Sequence, residues 1–362
     1  MKRLIAMLAA SLVIVLLIAN LSFSGGRRTD GLYYKATGIH PDAQLMEVDR
    51  QTVTAEEYLY WLAYDSEYLN ANLNGQVDWN ASINEDVSFG EYAKMDAENT
   101  VKLYAVTRAW AKESGLTLTE EDDAALDQQY QQYVTYYGGE DAWLRQLELM
   151  GITQETLRGI ESVPYLYAHL YEEFTGEGGS LRPDDTKLDT FGAEQNYVTA
   201  RLLYFATTGM DDQGRADVKE KAESYAEKMQ SADDRDAVYE ELAAELDLDT
   251  DPAGLTFSPA HSDPAVCEAV AKLEEGQVSG VIEGANGYYV ALRMPLDREA
   301  LLPDLFTEQL RLRQDGAKIR LNRSLYNKID TGEFYSRLNE ERMALLDDSM
   351  AQVPSLQPQP EG

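Results

Sequence analysis

The sequence is poor in the residue types that carry most site chemistry. Its one cysteine, Cys267, allows no disulfide within the chain. Its three histidines, His40, His169 and His261, have no metal-ligand spacing with each other or with Cys267. There is also no glycine-rich phosphate loop and no serine-nucleophile motif. We therefore predict no metal site and no cofactor, and a solvated or hydrogen-bonded role for each histidine.

Basic residues are scarce as well. The chain of 362 residues has 31 Lys and Arg against 64 Asp and Glu, a net charge of −33. Because phosphate would be repelled, this charge excludes nucleic acid as the partner. It favours solubility in a concentrated or salty compartment, the alternative being a surface that attracts basic unfolded chains or loosely held cations. The length is sufficient for two or three domains.

The N-terminus indicates where the protein works. Lys2 and Arg3 precede an apolar run over residues 4–19, a pattern typical of an export signal. The run is also close to the ~20 residues that span a bilayer. Residues 1–24 are therefore predicted to be either an uncleaved membrane anchor or a signal cleaved before Gly25. Both place the body on the extracytoplasmic face of the cell membrane or in secreted form.

Residues 31–190 predict a mostly helical region. It opens with a strand-like element, MEVDRQTV, that turns at Asp49-Arg50. Thr54 and Glu57 then have the spacing of a capping box at the start of a helix.

Two more helix signals follow in this region. Thr119 precedes a run of acidic residues, which favour the first turn of a helix. Pro164 should bend or split the last helix of the region.

Residues 196–296 change to a mixed pattern. A strand of apolar residues around Leu202 has the composition of a central strand buried on both faces. Helices are predicted over 215–230 and 236–246, with a shorter helix at PAVCEAVAKL. Two strands, 279–283 and 288–294, flank GANG, which is a hairpin signal.

The pattern returns to helical over 298–346, which contains the one local concentration of basic residues in the sequence. We expect these helices to pack back on the first helical region, and their Arg and Lys residues to pair with its acidic faces. The tail, 347–362, is rich in Pro and Gln and is predicted to be disordered. The fold class is therefore α+β: a mostly helical domain built from N- and C-terminal segments, with a small α/β domain inserted.

Several phrases of the sequence resemble a known family. SGLTLTEEDDAALDQQ, YGGEDAWLRQLELMGITQETLR and YLYAHLYEEF are similar to the N-terminal chaperone domain of SurA/PrsA-type extracytoplasmic foldases. AVAKLEEGQVSG and the hairpin around GANG resemble the parvulin (PpiC-type) peptidyl-prolyl isomerase domain that follows it. The resemblance implies a helical chaperone domain that carries an inserted parvulin-like domain.

The resemblance also assigns positions in the substrate groove, although none is confidently catalytic. Leu202 and Tyr289 stand where the family usually has histidines, and Val266 stands at its proline-pocket phenylalanine. Asp249 falls at its cysteine or aspartate, and Phe257 at an aromatic position.

The reaction of the family is rotation about an X–Pro amide, whose barrier is near 20 kcal/mol. A catalyst needs an apolar proline pocket and a polar network that stabilises the twisted amide. Because both imidazoles and the pocket wall are replaced, we expect weak or no isomerase activity, so enzyme status stays uncertain.

Three functions remain open from the sequence. The preferred one is a membrane-associated extracytoplasmic chaperone or foldase that binds unfolded secreted polypeptides through helical and parvulin-like surfaces. The alternative is an active peptidyl-prolyl cis-trans isomerase with a divergent groove, and the third is a structural subunit of an envelope complex. The chain has 23 tyrosines, many in the helical region. They are either ordinary core and boundary residues or, in part, contacts for unfolded chains.

Overall fold

The computed structural model describes Phe23, residues 25–84 and residues 86–352. The predicted signal or anchor, residues 1–24, lies outside this part of the chain except for Phe23. Within the described part, no helix is both long and apolar enough to cross a membrane.

The chain divides into two compact units. The second unit is Tyr171–Gln309, and the first is assembled from the described residues before it and after it. The predicted insertion of one domain between N- and C-terminal segments of another is thus confirmed.

The first unit is mostly helical. Its helices before the boundary are α1 (Leu32–Thr37), α2 (Ala55–Asn72), α3 (Phe89–Glu113), α4 (Glu120–Tyr137), α5 (Glu140–Met150), α6 (Gln154–Glu161) and the first part of α7 (Val163–Thr175). The C-terminal segment contributes part of α12 (Leu302–Gly316), the short α13 (Arg323–Tyr326) and α14 (Thr331–Gln352). The C-terminal segment packs against the beginning of this unit through buried aromatic side chains. The ring centroids of Tyr33 on α1 and Phe334 on α14 are 6.0 Å apart.

A small antiparallel sheet joins the two ends of the chain within this unit. Its order is β2–β1–β7, with β1 at Gln44–Val48, β2 at Gln51–Thr54 and β7 at Ile319–Leu321. The turn at Asp49-Arg50 is confirmed, and both residues have positive φ, 46° and 68°.

The prediction that 298–346 is helical throughout was wrong at β7. The apolar spacing of this stretch fits a helix, but the backbone of β7 pairs with β1 instead, with Leu321 opposite Met46. The predicted disordered tail also begins too early, since α14 continues to Gln352. Residues 353–362 lie outside the described part of the chain.

Two of the predicted helix starts differ in how far they follow the local signal. Thr119 caps α4 in a full capping box with Asp122. Thr54 caps α2 by accepting the Glu57 N–H at 3.2 Å, but Glu57 does not complete the predicted box. Its carboxylate pairs instead with Arg108 at 2.8 Å.

Proline splits the helical run as predicted. Helix α6 ends at Glu161, and α7 starts at Val163 with Pro164 in its first turn. The missing N–H of proline costs nothing there, because the first N–H groups of a helix have no partner within it.

The second unit contains a four-stranded antiparallel sheet of order β4–β3–β6–β5. Its strands are β3 (Val198–Ala206), β4 (Leu255–Phe257), β5 (Ile282–Gly284) and β6 (Gly287–Met294). Its helices are α8 (Asp185–Glu194), α9 (Asp212–Ser231), α10 (Arg235–Glu245) and α11 (Pro264–Ala271), followed by a 3-10 turn at Glu299–Leu301. The predicted order of strand, helices and terminal hairpin is present, with β5 shorter than the predicted 279–283.

Candidate functional site

The two central strands of the second unit have different surroundings on their two faces. Alternate residues such as Leu203 and Val290 pack toward α9 and α10 in one buried cluster. The intervening residues, including Ala200 and Ala291, pack with α11 in a second cluster. Leu202 and Tyr289 lie at the margin of this second cluster and are only partly buried.

A pair of tyrosines lies on the α11 face near the hairpin turn. Tyr204 on β3 is directly opposite Tyr289 on β6, and their ring centroids are 4.9 Å apart at an interplanar angle of 31°. The Tyr204 hydroxyl donates to the Asn286 carbonyl at 3.1 Å, which fixes this ring against the turn. We call Leu202, Tyr204 and Tyr289 the tyrosine patch.

Asp263 links the start of α11 to the same turn. Its Oδ1 accepts the Ala265 N–H at 2.9 Å, and its Oδ2 accepts the Ala285 N–H at 2.6 Å. The packing beside it is tight, because a Cβ added at Gly284 would lie 2.7 Å from Asp263 Oδ2 and from a ring carbon of Tyr289.

Burial, together with the neighbouring Tyr204 and the negative charge of Asp263, raises the pKa of Tyr289. The Tyr289 phenol therefore keeps its proton at neutral pH. No side chain or backbone group of the described residues forms a hydrogen bond with its hydroxyl, so this hydroxyl can bind a ligand.

Two of the predicted groove residues belong to the core beneath the patch. Val266 on α11 and Phe257 on β4 are buried in the second cluster. Phe257 pairs with Val198, six residues along β3 from Tyr204. At about 3.3 Å per residue this separation is roughly 20 Å, so Phe257 does not lie beside Tyr204.

Asp249 is exposed in the loop after α10, and the structure gives it no place in the patch. Its neighbour Leu248 packs against the cluster on the opposite face of the sheet. The loop is held by Arg201, which is buried, pairs with Asp236 at 3.1 Å and donates two hydrogen bonds to the Pro252 carbonyl.

The three histidines do not contribute imidazoles to the patch. His40 is hydrogen-bonded to the Arg28 carbonyl at 2.6 Å, and His169 to Asp122 at 2.7 Å, both in the helical unit. These two confirm the predicted hydrogen-bonded role. His261 is exposed in the loop before α11. Within the described part of the chain, no three His, Cys, Asp or Glu side chains are grouped so as to hold a metal ion.

The patch can therefore bind by contact rather than by proton chemistry. It offers two aromatic faces, the side chain of Leu202, one available phenol hydroxyl and one fixed carboxylate nearby. Sequence reasoning missed Tyr204 and Asp263. Tyr204 has a signal in its two-residue spacing from Leu202, and Asp263 in its position before Pro264, which is typical of a helix N-cap.

Comparison with known proteins assigns the class of this unit. Residues 193–293 match the sequence profile of the PPIC-type PPIASE domain, a rotamase family. The predicted parvulin resemblance is thereby confirmed for residues 193–293, and we call this segment the PPIC-type domain after the profile that it matches. No curated protein sequence matches the chain.

Similar solved structures belong to the foldase type that the sequence resembles. One is the foldase protein PrsA of Streptococcus pneumoniae, with 17% identity over 83% of this chain and 93% of that chain, at a TM-score of 0.21. PrsA of Bacillus subtilis has 14% identity over 76% of this chain and 93% of that chain, at a TM-score of 0.23. A third structure, from Campylobacter jejuni, comes from a description of PEB4 and the periplasmic protein Cj1289 as two SurA-like chaperones. It has 16% identity over 84% of this chain and 98% of that chain, at a TM-score of 0.22. These TM-scores are too low to carry a functional argument, so the assignment rests on the profile match.

Proposed function

We propose that the protein is an extracytoplasmic, membrane-associated folding factor that binds unfolded secreted polypeptides. In this proposal its PPIC-type domain holds X–Pro segments and isomerises them weakly or not at all. The observation that carries it is the tyrosine patch on the α11 face of a domain that matches the PPIC-type profile. The sequence resemblance implies that Tyr289 and Leu202 stand where that family usually has histidines.

The chemistry of the patch supports binding over catalysis. Tyr289 supplies a neutral hydrogen-bond donor. The hydroxyl of Tyr204 already donates its hydrogen bond to the Asn286 carbonyl. Both oxygens of Asp263 accept backbone N–H groups. Stabilising a twisted amide needs several polar groups aimed at the reacting bond. One available phenol is a weak substitute for such a network.

The helical unit supports a role in holding unfolded chains. Several of its large apolar side chains are exposed, among them Tyr64 at 56%, Tyr68 at 65% and Tyr136 at 82%. Tyrosine combines an apolar ring with a polar tip and loses little entropy on contact, which suits adaptable binding.

The location proposed for the protein depends on its N-terminal sequence. Lys2 and Arg3 followed by the apolar run over 4–19 are typical of export. An uncleaved segment would tether the folding factor at the membrane surface where secreted chains emerge. Fractionation of cells into membrane and soluble extracytoplasmic pools tests this part directly.

Two assays on the full chain test the function. One measures the refolding rate of a client whose slow step is proline isomerisation, and the other measures aggregation of a client without rate-limiting prolines. We expect suppressed aggregation and a refolding rate close to the uncatalysed one. Acceleration that is lost in Tyr289→Phe or Asp249→Ala would favour the divergent isomerase instead, and failure in both assays would favour a structural subunit.

A further inference from the structure

The tyrosine patch has a charged neighbour that the proposed function does not use. Asp263 stands at the start of α11, and its two backbone hydrogen bonds fix the carboxylate against the turn that also holds Tyr204. The side chain is partly exposed and forms no ion pair with any Lys or Arg of the described residues. Its negative charge therefore remains available to a ligand on the patch.

The charged side chains of α11 do not neutralise the carboxylate of Asp263. On that helix, Glu268 and Lys272 form an exposed pair at 2.7 Å and neutralise each other. The loop before α11 adds only the exposed His261. On the neighbouring β5, Glu283 is opposite Tyr288 and therefore lies on the other face of the sheet. The carboxylate of Asp263 is thus the charge that remains beside the patch, in a chain whose net charge is −33.

The rings next to this carboxylate suit proline. Proline-bearing segments are extended and bind to aromatic-lined surfaces, where the pyrrolidine ring packs on a flat face. The Tyr204–Tyr289 pair offers such a surface, and the available Tyr289 hydroxyl can donate to the carbonyl that precedes the proline.

We infer that the tyrosine patch and Asp263 form a recognition site for proline next to a basic residue. The patch binds the proline ring, and Asp263 selects Lys or Arg at the adjoining position. The inference rests on the proposed function and names the segments of unfolded chains that the PPIC-type domain prefers.

Fluorescent peptides that differ at two positions test the selection on the full chain. The three peptides carry Lys-Pro, Glu-Pro or Lys-Ala in one otherwise identical sequence, and anisotropy gives each Kd. We expect Lys-Pro to bind about three- to tenfold more tightly than Glu-Pro, the size of a partly screened charge pair. The difference should shrink at high salt, because screening weakens the pair. Lys-Ala should bind more weakly than Lys-Pro.

Variants assign the two parts of the site. Asp263→Asn keeps one acceptor oxygen for the Ala265 N–H of the helix cap, gives up the hydrogen bond from the Ala285 N–H and removes the charge. It should therefore abolish the preference for Lys-Pro over Glu-Pro. Glu268→Gln on the same helix is the matched control and should leave the preference unchanged. Tyr204→Ala should weaken both proline peptides alike. The salt series on the unmodified protein needs no variant, so it decides the role of charge even if Asp263→Asn fails to fold.

The outcomes separate this inference from the proposed function. Equal binding of Lys-Pro and Glu-Pro overturns the inference and leaves the holding of X–Pro segments intact. Equal binding of Lys-Pro and Lys-Ala shows that the patch does not recognise proline. It overturns both this inference and the proposed holding of X–Pro segments. A loss of preference in Glu268→Gln as well as in Asp263→Asn assigns the selection to the general charge of the chain and overturns the role of Asp263.

Discussion

The backbone N–H of Asn322 donates to the carbonyl of Leu45 at 2.9 Å. This bond closes the ladder between β7, near the C-terminal end of the chain, and β1, near its beginning. The first unit is therefore completed only after the whole PPIC-type insertion has been synthesised.

Asn322→Pro tests the importance of this closure. The backbone of Asn322 has φ −74°, which proline adopts without strain, so the substitution mainly removes the donor and the side chain. We expect the free energy of unfolding of the helical unit to fall by roughly 1–3 kcal/mol, measured by denaturant titration. Asn322→Ala keeps the N–H and serves as the control. Equal losses in the two variants would assign the effect to the side chain and contradict the prediction.

Arg108→Met should destabilise the helical unit through its partner. Glu57 is 6% exposed, and its carboxylate would lose the cation that lies 2.8 Å away. Leaving a buried charge unpaired costs roughly 3–5 kcal/mol, so a large drop in the denaturation midpoint is expected. The double variant Glu57→Gln/Arg108→Met should recover much of that loss. A double variant as unstable as Arg108→Met alone would show that packing, not charge, is what Arg108 supplies.

Asp65 should make stability depend on pH. Burial, with a smaller contribution from Asp96, raises the pKa of its carboxyl from 3.8 to about 7. The folded state therefore holds a proton that the unfolded state has released. This contribution to stability is present at low pH and is lost as the pH rises from about 4 to about 7.

Denaturation over this pH range checks the sign. Asp65→Asn should flatten the profile and be more stable than the unmodified protein near pH 8, by at most about 4 kcal/mol. Asp96→Asn removes only the smaller cause and should change the slope less. An Asp65→Asn profile that runs parallel to that of the unmodified protein over this range would refute the assignment.

Gly284→Ala should disturb the tyrosine patch while sparing the rest of the sheet. The added Cβ would lie 2.7 Å from a Tyr289 ring carbon and from Asp263 Oδ2, closer than real contacts allow. We expect the Tyr289 ring to move, with a loss of several-fold in peptide affinity and a shifted Tyr289 ring signal in NMR spectra.

Gly280→Ala is the matched control for this substitution. A Cβ there meets nothing within 4 Å, and Gly280 does not have a positive φ. Both peptide affinity and the Tyr289 signal should stay as they are. If Gly280→Ala weakens binding as much as Gly284→Ala, the effect comes from hairpin stiffness and not from the patch.

Local features of the fold could be predicted because neighbours in sequence produce them. The Asp49-Arg50 turn, the Thr119 cap and the split at Pro164 each depend on a few adjacent residues. The apolar residues around Leu202 likewise predicted a central strand, and β3 lies between β4 and β6 in the sheet. These signals sufficed to find the domains and the PPIC-type resemblance.

Local sequence patterns gave wrong predictions where residues distant in sequence pair with each other. Glu57 has the spacing of a capping box, but its carboxylate forms an ion pair with Arg108 on another helix. β7 has helical spacing, but its ladder with β1 decides its conformation. In each case a partner distant in sequence supplies an interaction that the local pattern cannot contain.

The sequence by itself indicated the order of the helical and mixed regions and the resemblance to the PPIC-type profile. Only the tertiary structure decided which side chains share a surface. Strand register places Tyr204 opposite Tyr289, and the contact of α11 with the hairpin turn brings Asp263 to them. Strand register also places Phe257 on β4 opposite Val198, at the other end of β3 from Tyr204. The packing of α11 on the sheet buries Val266. A site depends on distances between segments, and those distances are set by packing and pairing across the whole domain.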